Sequence, residues 1–228
     1  MYNTLKFINR EAELAFLERK WKERKPQLIV LWGKRRVGKT ELVKQFINDK
    51  PHVYFLSEST NEVEQLRRIS TAIGRFFKEP LLLTRGFNEW EECFKYIKEK
   101  KRRFIFAIDE FPYLIQSNPA IPSLFQKAWD EYWSKSNVCL ILLGSSMAMM
   151  ETEVLGYKSP MYGRRTGQWK VDPMTFQSVS KFRSGKAFED RLLHFAAAGG
   201  IPAYWLQFSM EKDFFENLKE HVLKKGQM

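Results

Sequence analysis

The chain has 228 residues, with 38 Lys plus Arg against 27 Asp plus Glu and a formal net charge of +11. At roughly 100–200 residues per domain, this length fits one large domain with at most a small appendage. Hydrophobic residues at 44% and charged residues at 29% exclude wholesale disorder, and no run approaches the roughly 18 apolar residues of a membrane span.

The start, MYNTLKFINREAEL, has no apolar h-region, so neither a signal nor a transit peptide is expected. Cys93, Cys139 and the histidines His52, His194 and His221 fall in no CxxC or H-E-x-x-H grouping, which argues against a disulfide scaffold or a structural zinc. The chain reads as a reduced, cytoplasmic protein.

In chain order, Arg10 to Lys25 carries Leu14, Leu17 and Trp21 at helical spacing. Gln27 to Trp32 (QLIVLW) is a continuous apolar run, as expected of a strand buried on both faces. A helix is expected over Lys39 to Asn48, stopped before Pro51. His52 to Leu56 reads as a strand, and Asn61 to Phe77 and Asn88 to Lys101 as helices. Arg103 to Ile108 is a buried strand, Ile121 to Ser134 a helix, Val138 to Leu143 a strand and Gln168 to Val171 a weaker one. Beyond Asp172-Pro173, only Phe188 to Ala198 and Glu211 to Lys225 look regular, both helical. Apolar strands alternating with amphipathic helices predict an α/β domain with a parallel sheet. The expected division is a core over residues 1–173 and a small helical lid over 174–228.

Gly33-Lys34-Arg35-Arg36-Val37-Gly38-Lys39-Thr40 matches G-x-x-x-x-G-K-[ST]. The glycines let consecutive backbone N–H groups converge on phosphate oxygens. Lys39 would reach the β- and γ-phosphates, and the Thr40 hydroxyl is a hard oxygen ligand for Mg²⁺. The helix through Thr40 and Glu41 points its positive end at the same anion. A strand before and a helix after are what the motif demands, so nucleotide phosphate binding is expected of residues Gly33 to Glu41.

Phe104 to Ile108 leads into Asp109 and Glu110. Carboxylates at the C-terminal end of a parallel strand face the ligand crevice of open α/β sheets. Asp109 would hold the Mg²⁺ shell and Glu110 would orient or deprotonate the attacking water. Taken alone, Asp109 reads equally well as a cap for the following turn; beside a phosphate loop the catalytic reading prevails. The guanine-recognition sequence N-K-x-D is missing from the chain, which leans the base toward adenine.

These pieces together resemble the archaeal-type ATPases of the STAND branch of AAA+-like P-loop proteins, relatives of the archaeal origin-recognition ATPases. Phe7-Ile8-Asn9-Arg10-Glu11-Ala12-Glu13-Leu14 is similar to the family's F-x-x-R-E-x-E-L box, which implies that Phe7, Ile8 and Arg10 lie against the adenine. The paired Arg35 and Arg36, and Asp109-Glu110-Phe111-Pro112-Tyr113-Leu114, resemble further family motifs. Leu143-Gly144-Ser145-Ser146 is similar to its sensor segment, which implies that Ser145 senses the γ-phosphate or positions the water. Pro160-Met161-Tyr162-Gly163-Arg164-Arg165-Thr166 resembles the stretch where an arginine finger is expected, here Arg164. Gly199-Gly200-Ile201-Pro202 is similar to a lid motif that places Pro202 by the nucleotide.

The resemblance implies the five-stranded order 5-1-4-3-2 (the ASCE arrangement) and an ATP- and Mg²⁺-dependent ATPase switch. ATP would sit between core and lid. Relatives usually continue into a winged-helix segment and often a nuclease-like region, and neither is found in these 228 residues. Bland alternatives stay open for several residues: Ser145 as a buried hydroxyl bonded to backbone, Arg164 and Arg165 as a basic surface loop, Pro202 as a helix terminator after two glycines, and Arg10 as a surface helix residue.

Two basic runs, Lys20 to Lys25 and Lys98 to Arg103, each precede a strand. In a parallel sheet both collect at the edge opposite the nucleotide, where a basic patch would track DNA. Cations at helix C-termini also have a purely local reason to be there.

Overall fold

The computed structural model describes residues 7–224. Residues 1–6, part of the leader reading, and Lys225, the expected end of the last helix, lie outside the described residues.

The elements run α1 Glu11–Lys22, β1 Gln27–Trp32, α2 Lys39–Ile47, β2 His52–Leu56, α3 Glu62–Phe77, α4 Pro80–Thr84 and α5 Trp90–Lys98. They continue with β3 Phe104–Asp109, α6 Phe111–Ser117, α7 Ile121–Glu131, β4 Val138–Gly144, α8 Met147–Met149 and β5 Gly167–Lys170. The remaining helices are α9 Phe176–Val179, α10 Phe188–Ala198, α11 Pro202–Trp205 and α12 Phe214–Leu218.

The strands form a five-stranded parallel sheet in the order β2-β3-β4-β1-β5, the expected 5-1-4-3-2 arrangement read from the other edge. β3 and β4 are buried throughout and β1 nearly so. A strand with helices on both faces must be apolar at every position, not at alternate ones. β2 and β5 alternate between more and less buried residues, in keeping with their places at the sheet edges.

The chain divides into two compact units. One comprises Ala12–Gly33 and Lys39–Lys170; the other comprises Lys34–Gly38 and, among the described residues, 7–11 and 171–224. In the sheet unit, Val53 and Phe55 of β2, Phe104 and Phe106 of β3 and Leu140 and Leu142 of β4 share one core with Ile69, Phe94, Phe111, Phe125 and Trp133. Trp133 meets Phe94 and Phe125 edge-on, the geometry preferred by ring quadrupoles, and its indole N–H is satisfied by the Phe94 carbonyl at 3.1 Å. In the helical unit, Met174, Val179, Ala198, Trp205 and Phe208 form a second core. There the buried Arg183 guanidinium is fully engaged, donating to Asp190, to Ser209 O and to Lys212 O.

Among the described residues, five short α-helices arise that periodicity did not announce: α4, α6, α8, α9 and α11. Of these, α4, α6 and α11 each carry a proline in the first turn, where a missing N–H costs nothing and φ is already helical. The last expected helix is shorter than its apolar pattern suggested. Asp213 and Glu216 close a capping box at the start of α12, and the chain passes into a π-helical turn over Lys219–Leu223.

Candidate functional site

β1 delivers the chain to Gly33 and α2 begins at Lys39, so the phosphate loop is the connection between a buried strand and a helix. Gly38 has φ +97°, a left-handed value open to glycine at little cost. Arg36 also holds a left-handed conformation, φ 65°. Lys39 is 5% exposed, and its ammonium donates to Gly33 O at 2.9 Å. That contact holds the lysine across the mouth of its own loop. Glu41, in the first turn of the helix, pairs with Lys44 at 3.5 Å on the surface.

Asp109 is the last residue of β3, aligned with Leu56 of β2, and is wholly buried. Its Oδ2 accepts from the Thr40 hydroxyl at 2.6 Å and from the Tyr54 phenol at 2.7 Å. Its Oδ1 accepts from the Glu110 N–H at 2.9 Å. The next residue turns sharply, with Glu110 at φ 52° just before α6. That turn carries the Glu110 carboxylate to the end of β4, where Oε2 accepts from the Ser145 hydroxyl at 2.8 Å and the Ser145 N–H at 3.3 Å.

Within the sheet unit, Lys39, Thr40, Asp109, Glu110 and Ser145 therefore come together at one end of β1, β4 and β3. These strands are adjacent, at a spacing of about 4.8 Å. The hydroxyl of Thr40 and the carboxylate of Asp109 are hard oxygen donors in direct contact. They fit a Mg²⁺ ion, which takes few protein ligands and completes its shell with water and substrate phosphates. Among the described residues no group of three or more His, Cys, Asp or Glu could hold a metal by itself.

Arg164 lies elsewhere in its contacts. Its guanidinium grips Asp130 of α7 through Nε and Nη2 at 2.8 Å and donates to Pro160 O. Arg165 is half-buried beside the Tyr162 ring.

The other expected residues belong to the helical unit. Arg10 is buried and donates to Val37 O at 2.8 Å and to Asp172 O at 2.9 Å, tying the N-terminal box to the phosphate loop and to the start of that unit. Phe7 and Ile8 are half-buried. Lys34, Arg35 and Arg36 are exposed at the surface and Val37 is buried. The Arg36 guanidinium lies 5.3 Å from the Tyr204 ring centre, two residues past Pro202. Pro202 opens α11 and is buried.

Tyr54 escaped the reading of the sequence. Its signal is the alternation in β2, where Val53 and Phe55 face the core and His52, Tyr54 and Leu56 face the other way. The expected strand order already sets β2 beside β3, but only the register of that pair, which no motif reveals, aligns this second face with Asp109. Burial pushes the Tyr54 phenol well above its ordinary value, and the neighbouring Asp109 charge pushes it further.

The fold and this cluster define the chain as a P-loop-type α/β ATPase domain. The family model described as an ATPase domain predominantly from Archaea matches residues 7–204, and the chain belongs to that family. An uncharacterized protein of Methanocaldococcus jannaschii is 36% identical over 198 residues, which are 87% of this chain and 43% of the relative. The chain thus spans less than half the length of that relative.

Among solved structures, the Walker-type ATPase of Pyrococcus abyssi superposes with a TM-score of 0.72 at 23% identity, covering 95% of this chain and 72% of that one. The ADP form of the Aeropyrum pernix ORC2 protein gives 0.63 at 14% identity, over 89% and 64%. At these identities the two likenesses speak to the fold. No helix among the described residues is long and apolar enough to cross a membrane.

Proposed function

We propose that the chain is a nucleotide-driven switch, binding ATP with Mg²⁺ and hydrolysing it to ADP and phosphate. The observation that carries this reading is the convergence of Lys39, Thr40, Asp109 and Glu110 at one end of the sheet.

Lys39 binds the β- and γ-phosphates as a point charge, and the backbone N–H groups from Gly33 to Thr40 cradle them. Thr40 and Asp109 hold the metal, whose charge offsets that developing on the phosphate oxygens. Glu110 takes a proton from the attacking water, with Ser145 fixing its orientation through two hydrogen bonds. Arg10, Phe7, Ile8 and Pro202 serve the nucleoside, and Arg164 is the arginine finger. Residues 1–173 act as the core and 174–228 as the lid that relaxes after hydrolysis.

The test is a pair of variants. Lys39→Ala loses ATP binding, whereas Glu110→Gln retains ATP without turnover. Hydrolysis by Glu110→Gln at the parent rate sinks the assignment of the base.

A second reading, a nucleotide-gated interaction module with little turnover, is favoured by the same Ser145 contacts. The two donors fill both lone-pair sites of the Glu110 oxygen they reach, which leaves that oxygen none for a water. Steady-state phosphate release, with and without DNA, separates the two readings. DNA is a reasonable partner because Arg103 stacks over Trp21 at 4.6 Å, which joins the two basic runs at one edge of the sheet unit.

A further inference from the structure

Asp109 is held by more than the two sequence motifs supply. An ionised carboxylate offers about four lone-pair sites, and three of those on Asp109 are filled: by Thr40 of the phosphate loop, by the N–H of Glu110, and by Tyr54 from the edge strand β2. The first two donors are integral to the phosphate loop and to the acidic doublet. Tyr54 belongs to neither, and it shares Oδ2 with the Thr40 hydroxyl.

The geometry is built rather than incidental. Tyr54 pairs in register with Ala107, and Asp109 is the next residue of β3 on the same face. Ala107 has no side chain beyond Cβ, which leaves a clear diagonal from the phenol to the carboxylate. Val53 and Phe55, on either side of Tyr54, are buried in the core and fix the strand that carries it. Lys44 of α2 lies 5.9 Å from the ring centre. A rigid strand thus presents one hydroxyl to a carboxylate that is wholly buried, where an unfilled lone pair is costly and free rotation about the side-chain bonds would misplace the carboxylate.

We propose that Tyr54 is a positioning residue for the divalent cation: by clamping Oδ2 of Asp109 together with Thr40, it sets the metal affinity of the nucleotide-bound protein without touching the nucleotide. This rests on the assignment of Thr40 and Asp109 to a Mg²⁺-nucleotide site. Partners that orient a metal-binding group from behind are worth roughly 10–100-fold in metal affinity. Tyr54→Phe removes one oxygen and keeps the ring.

The experiment measures Mn²⁺ affinity by electron paramagnetic resonance in the presence of a non-hydrolysable ATP analogue, and affinity for the same analogue in EDTA. In Tyr54→Phe the Mn²⁺ affinity falls about tenfold, the EDTA affinity stays at the parent value, and the Mg²⁺ concentration for half-maximal hydrolysis rises while the rate at saturating Mg²⁺ is kept. Unchanged Mn²⁺ affinity overturns the proposal, as does an equal loss of analogue affinity with and without metal, which marks a merely structural role. If the parent itself takes up no Mn²⁺ with the analogue, the Mg²⁺-nucleotide reading of the site falls too. If the parent binds Mn²⁺ and the variant matches it, that reading stands and only the role of Tyr54 is lost.

Discussion

The Ser145 hydroxyl lies 2.8 Å from Glu110 Oε2, with the Ser145 backbone N–H 3.3 Å from the same oxygen. The carboxylate that follows β3 is therefore aimed by the residue that follows β4. For a general base, geometry comes first, so losing the side-chain half of this clamp costs orientation. Ser145→Ala is expected to lower kcat about tenfold, a fraction of the roughly 10²–10⁴-fold that a positioned base contributes, with little change in KM for ATP. A rise in kcat would show instead that Ser145 restrains the base.

The glycine pair of the helical unit is explained by two different constraints. Gly199 sits at φ 58° and ψ −153°, a region essentially reserved for glycine. Gly200 is fixed by crowding: a Cβ there would fall 1.9 Å from Met174 O, while Gly200 O accepts from Met174 N at 2.8 Å. Because the obstacle is backbone, it cannot swing aside. Gly200→Ala is expected to destabilise the helical unit by about 3 kcal/mol, at the upper end of ordinary overpacking costs. Chemical denaturation followed by tryptophan fluorescence, with Trp205 in that core, checks it; a midpoint equal to the parent's would contradict the close approach.

Much of the sheet was legible because its inner strands are continuous apolar runs. β1 and β2 fall on their expected residues, and β4 gains only Gly144. β3 begins one residue later than Arg103, whose guanidinium is drawn to Trp21, and ends one later, because Asp109 still pairs with Leu56. The phosphate loop and the acidic doublet were legible as local motifs. What stayed hidden depends on contacts distant in sequence: Tyr54 with Asp109, 55 residues apart, and Asp130 with Arg164, 34 apart. The irregular stretch over Met150–Leu155, a π-helical segment, has no periodic signature to betray it.

Acid should loosen the sheet unit in part through Glu23. Its carboxyl is held down from 4.5 to about 2, chiefly by its bond with Lys25, then by that with Lys20. It also accepts from the buried Gln27 carboxamide at 3.1 Å, whose oxygen in turn accepts from Thr166 beside β5. A carboxylate depressed by folding contributes stability that is present in full above its unfolded value and disappears as pH falls through its folded value. The contribution of Glu23 is therefore lost between pH 4.5 and about 2. Thermal melting of the parent and of Glu23→Gln should differ at pH 6 and converge across that window. A constant difference across it would remove Glu23 from the acid response.

The basic edge offers the most direct check on a nucleic-acid partner, provided the right residues are chosen. Lys98, Lys101 and Arg102 are exposed, whereas Arg103 is half-buried against Trp21 and Lys100 lies 3.6 Å from the Tyr96 ring centre. Neutralising the first three removes solvent-facing charge without disturbing either stack. Each lost phosphate contact lowers the salt slope of duplex binding by about 0.9. Lys98→Gln, Lys101→Gln and Arg102→Gln combined are expected to weaken duplex DNA binding at low salt and to flatten its salt dependence by up to about 2.7 in slope. Fluorescence anisotropy against a labelled duplex over a range of salt concentrations, with ATP hydrolysis measured in parallel, reads both effects. A triple variant that binds DNA like the parent at every salt concentration would mean that this edge carries its charge only to serve the ends of its own helices.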